Sequence, residues 1–448
     1  MKKIFVEKIK YIFMGIVSVF LTGLGDLSAG NPALIRVSGE PQQQMTYGMD
    51  FERLWHFRDA GEDIDLDALA QAAAVDIKVD YIRVAIDPSV ELEEGEINWG
   101  RYDRQVAMMQ AVQKVRPDIK WFLSPRPIHN ELKGAPFTPF PLWISVWENP
   151  LQLDESIPRK FVGLDWEKGA DYYYRHIQFF REQGFEITYL DALNEASRHL
   201  DPLSISKMIA RLREMLGDEM PLVIAPSAHN WKEAQRWMGE AKDSGAGIFW
   251  DITACHNTRA RGTLEEFAEQ AKTLDKPIWN TELHGFKGPD NEAVANSKIL
   301  FEHIRAGFGG INDWLSLGNE KKEHKMLRNV KGELVLMRTY YIFKQLVKSS
   351  QGAGYLDATI PEGLDTTAAF YHRENGYITV WALNNSDTSV EGLIMVKNYH
   401  CTPISVHQWT PDNGREGVVI MEELRGDSSI RYNFEANSLY CFTFERHN

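Results

Sequence analysis

The chain is short of cysteine, of cationic charge and of long apolar runs, and each shortage removes a class of protein. Three cysteines, Cys255, Cys401 and Cys441, are too few to staple a small disulfide scaffold. Their odd number leaves at least one thiol without a partner in the chain, and whether Cys401 and Cys441 pair is open. Only 49 Lys and Arg stand against 63 Asp and Glu, a net charge of −14. A nucleic-acid ligand needs clustered cations, so none is expected, and an acidic surface is repelled by anionic membranes. No HExxH, CxxC or EF-hand loop occurs, so the sequence argues for no metal and no cofactor.

The apolar run from Tyr11 to Leu24 is too short to span a bilayer comfortably. It follows a basic stretch with Lys2, Lys3, Lys8 and Lys10, and it precedes the small residues of Leu27-Ser28-Ala29. That order is the pattern of a cleaved export signal, so residues 1–29 are set apart from the fold. The mature chain is expected to be secreted or periplasmic, monomeric and without a transmembrane segment.

The full sequence of 448 residues is 44% hydrophobic, enough for a substantial globular core. From residue 44 to 347, short apolar runs alternate with amphipathic stretches. Strands are expected at Met45–Met49, Tyr81–Ile86, Ile119–Leu123, Thr188–Ala192, Leu222–Ala225, Ile248–Thr253, Pro277–Thr281 and Gly310–Leu315. Most are continuously apolar, as parallel strands covered on both faces are. Helical spacing marks Asp67–Val75, Trp166–Gln183, Pro202–Leu216, Leu264–Leu274 and Ala293–Ala306. Eight strands alternating with helices over about 300 residues fit an α/β fold of the (β/α)8 TIM-barrel type. A doubly wound open sheet is the rival, weakened by the lack of a G-x-G-x-x-G after the first strand. Residues 348–448 change to short strands separated by turn clusters, the pattern of an antiparallel β-sandwich. Residues 31–43, through Ala33–Val37, are expected to join it.

Two glutamates sit just past strands, Glu195 after the fourth and Glu282 after the seventh. Barrels carry their chemistry at that end of the strands, and strands four and seven face each other across the mouth. Glycosidic cleavage needs one protonated carboxyl to assist the departing oxygen and one ionised carboxylate or activated water on the other side. A separation of about 5–5.5 Å gives retention and about 6.5–9.5 Å gives inversion. Two ordinary helix-capping glutamates are the bland alternative.

Asn194-Glu195, Glu282 and their strand positions make the chain resemble the clan A glycoside hydrolases. The resemblance implies a retaining enzyme, with Glu195 as acid/base and Glu282 as nucleophile. It also implies Arg83 beside the nucleophile, Asn194 at a sugar hydroxyl, His256 at the end of strand six and Trp314 as the floor of the sugar site. Within the clan the chain is most similar to glycoside hydrolase family 30, by Ser124-Pro125 and by Val380-Trp381-Ala382-Leu383-Asn384-Asn385 in its sandwich. It departs from that family at Arg126, Ala196 and His284, and family 39 and the agar-degrading families are also similar.

Further contacts to sugar are expected from loops, at His129, Asn130, His229 and His284, with Trp55, Trp231 and Trp250 as candidate stacking surfaces. The expected activity is hydrolysis of β-glycosidic bonds in a polysaccharide or oligosaccharide by double displacement. The alternatives are a non-catalytic carbohydrate-binding protein on the same barrel and an unrelated, metal-dependent barrel enzyme.

Overall fold

The computed structural model describes residues 32–51, 63–126, 140–148, 160–259, 261–319, 321, 325–420 and 427–447. The expected signal segment, Trp55, His129 and Asn130 lie outside these residues. Eight parallel strands close into a barrel, which excludes the open-sheet rival. They are β1 (Thr46–Asp50), β2 (Tyr81–Ile86), β3 (Lys120–Pro125), β4 (Ile187–Asp191), β5 (Leu222–Ala228), β6 (Ile252–Cys255), β7 (Ile278–Leu283) and β8 (Gly310–Asp313). Each pairs with its sequence neighbour, and β8 closes on β1 through Gly310–Asp313 against Thr46–Met49.

Large rings fill the N-terminal end of the barrel. Tyr81, Phe122, Tyr189 and Trp279 form one cluster with Ile224, Ile252 and Ala254. Tyr81 stacks on Trp279 with ring centroids 5.1 Å apart. Glycine makes the space: a Cβ at Gly48 would lie 2.1 Å from the Tyr81 ring, and one at Gly310 would lie 2.3 Å from the Trp279 indole. Side chains two residues further along the same strands enter the opposite end, where the polar groups gather.

Among the α-helices of the described residues, two were not read from the sequence, Asp103–Val115 and Trp231–Asp243. His229-Asn230-Trp231 was expected to be a mouth loop, but Asn230 caps the second helix by accepting from the Glu233 N–H at 3.1 Å. Trp231 therefore starts a helix and packs on Phe267 and Phe308, and Trp250 packs on Trp237. Both indoles are core, not stacking surfaces for sugar.

Beyond the helix Arg338–Ser350, eight strands and the N-terminal strand Ala33–Ser38 form a nine-stranded sheet. Ala33–Ser38 pairs in parallel with Val390–Val396, and every other pairing in the sheet is antiparallel. The strand Tyr377–Asn384 shows why its sequence is apolar at nearly every position. Ile378, Val380 and Ala382 join the sandwich's own core, whereas Trp381 and Leu383 join the core shared with the barrel. Trp381 meets Phe301 of a barrel helix at 5.4 Å. Cys255, Cys401 and Cys441 are all buried and none is bonded to another.

Candidate active site

Glu195 is placed by a tight turn after β4. Asp191, the last residue of that strand, accepts the N–H groups of Leu193 at 3.1 Å and Asn194 at 3.0 Å. Asn194 and Glu195 then take left-handed backbone angles, φ 37° and 68°. Such angles disfavour residues with a Cβ and persist only where the surroundings fix them. Here the Glu195 N–H donates to the Ser227 carbonyl at the end of β5, 2.8 Å away. The helix Trp231–Asp243 grips the next turn, with Arg236 donating to the Ser197 carbonyl at 2.9 Å. Glu282 stands inside β7, its N–H held by Asn280 Oδ1 at 3.0 Å.

A buried guanidinium ties these elements together. Arg83 Nη1 lies 2.6 Å from Glu282 Oε1 and 3.0 Å from Asp50 Oδ2. Its Nη2 donates to Ser124 Oγ at 2.7 Å and to Asn194 Oδ1 at 2.9 Å. Asn194 in turn donates to the Pro125 carbonyl at 2.7 Å, so both ends of its amide are already engaged within the protein.

Three groups converge on one oxygen of Glu195. His229 Nδ1 lies 2.7 Å from Oε1, His256 Nδ1 lies 3.0 Å from it, and Thr258 Oγ1 donates to it at 3.0 Å. His256 Nδ1 also lies 3.4 Å from Glu282 Oε2, and His284 Nε2 lies 3.5 Å from the same oxygen. Donor atoms of Glu195, His256 and Glu282 all fall within 4.8 Å of one another. The two carboxylates therefore face each other across a gap of less than 5 Å, with an imidazole between them.

The electrostatics follow from these neighbours. Burial pushes the Glu282 carboxyl up, but His256 and Arg83 outweigh it and hold the group well below the usual carboxylate range. Burial and the charge of Glu282 also push Glu195 up, yet His229 and His256 bring it down to about 2. Burial opposes the charged form of His256, and Glu282 and Glu195 overcome that and raise it.

Seven of the residues singled out in the sequence meet here: Arg83, Asn194, Glu195, His229, His256, Glu282 and His284. Trp314 stands beside them, but His284 stacks on its ring at 4.2 Å and the ammonium groups of Lys287 and Lys325 lie 4.1 and 4.6 Å from the ring centre. The indole expected to floor a sugar site is part-buried, with these protein groups on its ring. Sequence reasoning missed Asp50, Ser124, Asp191, Thr258 and Thr281. Asp50 and Asp191 end strands one and four, Ser124 is the last but one residue of strand three, and that position was the available signal.

Glu195, His256 and Glu282 are also the set of described residues with the spacing to hold a metal ion. Arg83, 2.6 Å from Glu282, puts a permanent cation against that set and opposes a divalent ion.

No protein-family profile matches this sequence, and no curated protein matches it. Solved structures do. A glycoside hydrolase family 30 subfamily 8 xylanase from Clostridium acetobutylicum is 15% identical, with a TM-score of 0.69 over 93% of this chain and 100% of that one. An endo-β-1,6-glucanase is 15% identical, with a TM-score of 0.65 over 94% and 96%. A family 51 arabinofuranosidase from Xanthomonas axonopodis pv. citri is 11% identical, with a TM-score of 0.61 over 92% and 100%. The chain shares its fold, over nearly its whole length, with glycoside hydrolases of clan A, family 30 among them.

Proposed function

We propose that the protein is a retaining glycoside hydrolase that cleaves β-glycosidic bonds of a polysaccharide or oligosaccharide. The observation that carries the reading is the spacing of the pair: oxygens of Glu195 and Glu282 lie within 4.8 Å of each other. This closest approach lies just under the about 5–5.5 Å of retaining carboxyls and well short of the about 6.5–9.5 Å that an inverting enzyme needs for its water.

The partners divide the roles. Arg83 stays charged at any ordinary pH, so the glutamate it touches is the permanent anion. Glu282 is then the nucleophile that attacks the anomeric carbon. Glu195 is surrounded by two imidazoles and a hydroxyl, groups that can pass or accept a proton. It acts first as acid toward the departing oxygen, then as base toward the water that releases the glycosyl–Glu282 ester. The fold likeness to xylan- and glucan-cleaving proteins supports a glycan as substrate. The N-terminal basic, apolar and small-residue pattern supports export.

The test is digestion of a panel of β-linked glycans by the wild-type chain and by Glu195→Gln and Glu282→Gln. The expected result is wild-type turnover, a loss on the order of 10²–10⁴ for Glu195→Gln, and a loss at least as large for Glu282→Gln, with both variants folded. Full activity in Glu282→Gln would reject the mechanism. Binding of a glycan without any wild-type turnover would favour a carbohydrate-binding protein instead.

A further inference from the structure

His256 is fully buried and its ring is held in one orientation. Its backbone N–H donates to the Ala228 carbonyl at 2.9 Å, and its Nε2 sits 3.0 Å from Thr281 Oγ1. That fixes Nδ1 between the two carboxylates, 3.0 Å from Glu195 Oε1 and 3.4 Å from Glu282 Oε2. Glu282 is kept anionic by Arg83 at 2.6 Å, and a lone pair on Nδ1 would face its Oε2 at 3.4 Å, which is repulsive, so Nδ1 carries hydrogen. Thr281 can accept from Nε2 as readily as donate to it, so the doubly protonated ring also fits.

The charges around the ring decide between the two forms. Glu195 and Asp191 face it from the end of β4, and Glu282 and His284 from β7 and its exit. Arg83 of β2 opposes a positive ring. Thr258, from the loop after β6, and His229, after β5, touch the Glu195 oxygen that faces it. Two carboxylates in direct contact outweigh one guanidinium that is itself shared with Asp50 and Glu282.

We propose that His256 holds, in the resting protein, the proton that Glu195 later delivers to the leaving oxygen. The inference rests on the reading of Glu195 as the acid. In the first transfer, the His256 Nδ1–H bond breaks and an O–H bond forms on Glu195, so imidazolium and carboxylate become imidazole and carboxylic acid. In the second, that O–H bond breaks as the leaving oxygen gains the proton and takes the electrons of its bond to the anomeric carbon, which Glu282 attacks. Water then gives a proton to Glu195 as its oxygen displaces Glu282, and the proton returns to His256. His256 is thus a positioning residue acting through Glu195.

A pH signature follows. The proton belongs to the Glu195–His256 pair, whose final dissociation cannot have a lower pKa than Glu195 has alone in the same surroundings. In His256→Asn, the alkaline limb of kcat/KM moves toward acid, by about one pH unit. A purely structural histidine would lower the rate without moving that limb.

The deciding experiment needs no substrate. The full chain is labelled with 15N-histidine, and the His256 ring signals are identified by their loss in His256→Asn. If that variant does not fold, they are identified by their displacement in Thr281→Val. The expected result is a doubly protonated His256 ring at pH 7.5, where an ordinary histidine (pKa about 6.5) is mostly neutral, and a lower titration point in Glu282→Gln. A neutral His256 ring at pH 7.5, or a titration indifferent to Glu282→Gln, overturns the proposal. If no glycan is hydrolysed by the wild type, the hydrolase reading fails while the ring signals still report where the proton rests.

Discussion

The two ends of the barrel interior are made by the same strands, two residues apart, and they are chemical opposites. β2 contributes Tyr81 at one end and Arg83 at the other, and β3 contributes Phe122 and then Ser124. β4 contributes Tyr189 and then Asp191, and β7 contributes Trp279 and then Thr281, beside Glu282. Four aromatic rings become a cation, two hydroxyls and a carboxyl within about 7 Å of strand rise. The aromatic end gains stability by removing large apolar surfaces from water. The polar end buries charges, which is costly unless every one is paired, and the dense contacts of Arg83 meet that cost. Stability is concentrated at one end, and strain and charge at the other.

Substitutions at the two ends should therefore fail differently. Arg83→Met has the largest expected effect, because it leaves Asp50 and Glu282 buried without their shared cation. It should cost about 3–5 kcal/mol in denaturant unfolding and also remove hydrolytic activity in the fraction that stays folded. Trp279→Ala should cost a similar 3–5 kcal/mol through the cavity it leaves. Its activity per folded molecule should be close to wild type, and a loss there as deep as that of Arg83→Met would break the separation of the two ends. Tyr81→Phe should have the smallest effect, within about 1 kcal/mol and either neutral or stabilising. The Tyr81 hydroxyl is buried with no hydrogen-bond partner among the described residues, so deleting it sacrifices no contact.

The same contrast explains what could be read from the sequence. Seven barrel strands were legible, because continuous apolar runs such as Tyr81–Ile86 and Leu222–Ala225 are what two covered faces require. The sixth strand, expected at Ile248–Thr253, is Ile252–Cys255 and shares only Ile252 and Thr253 with that run. Glu195 and Glu282 were legible because a strand end is a position in sequence as well as in space. The cage around them was not. Thr258 lies two residues beyond His256 in a loop without a pattern, and Asp50 had its strand-end position as a signal but no neighbouring motif of the Asn194-Glu195 kind. The helix Trp231–Asp243 carried a signal, an Asn cap with Glu three residues on, but His229-Asn230-Trp231 also reads as a polar loop with an aromatic tip. In the sandwich, Gly354–Ala358 is obscured by its glycine and aspartate, whereas Ser429–Phe434 carries the polar–apolar alternation of a half-buried strand and was legible in principle.

The most direct test of the central claim is covalent. A panel of 2-deoxy-2-fluoro β-glycosyl fluorides slows both steps of a double displacement and lets the ester on the nucleophile accumulate. Peptide mass spectrometry of the inactivated chain should find one glycosyl unit on Glu282, with none in Glu282→Gln. A glycosyl unit on Glu195, or hydrolysis of a natural glycan with inversion at the anomeric carbon, would contradict the account.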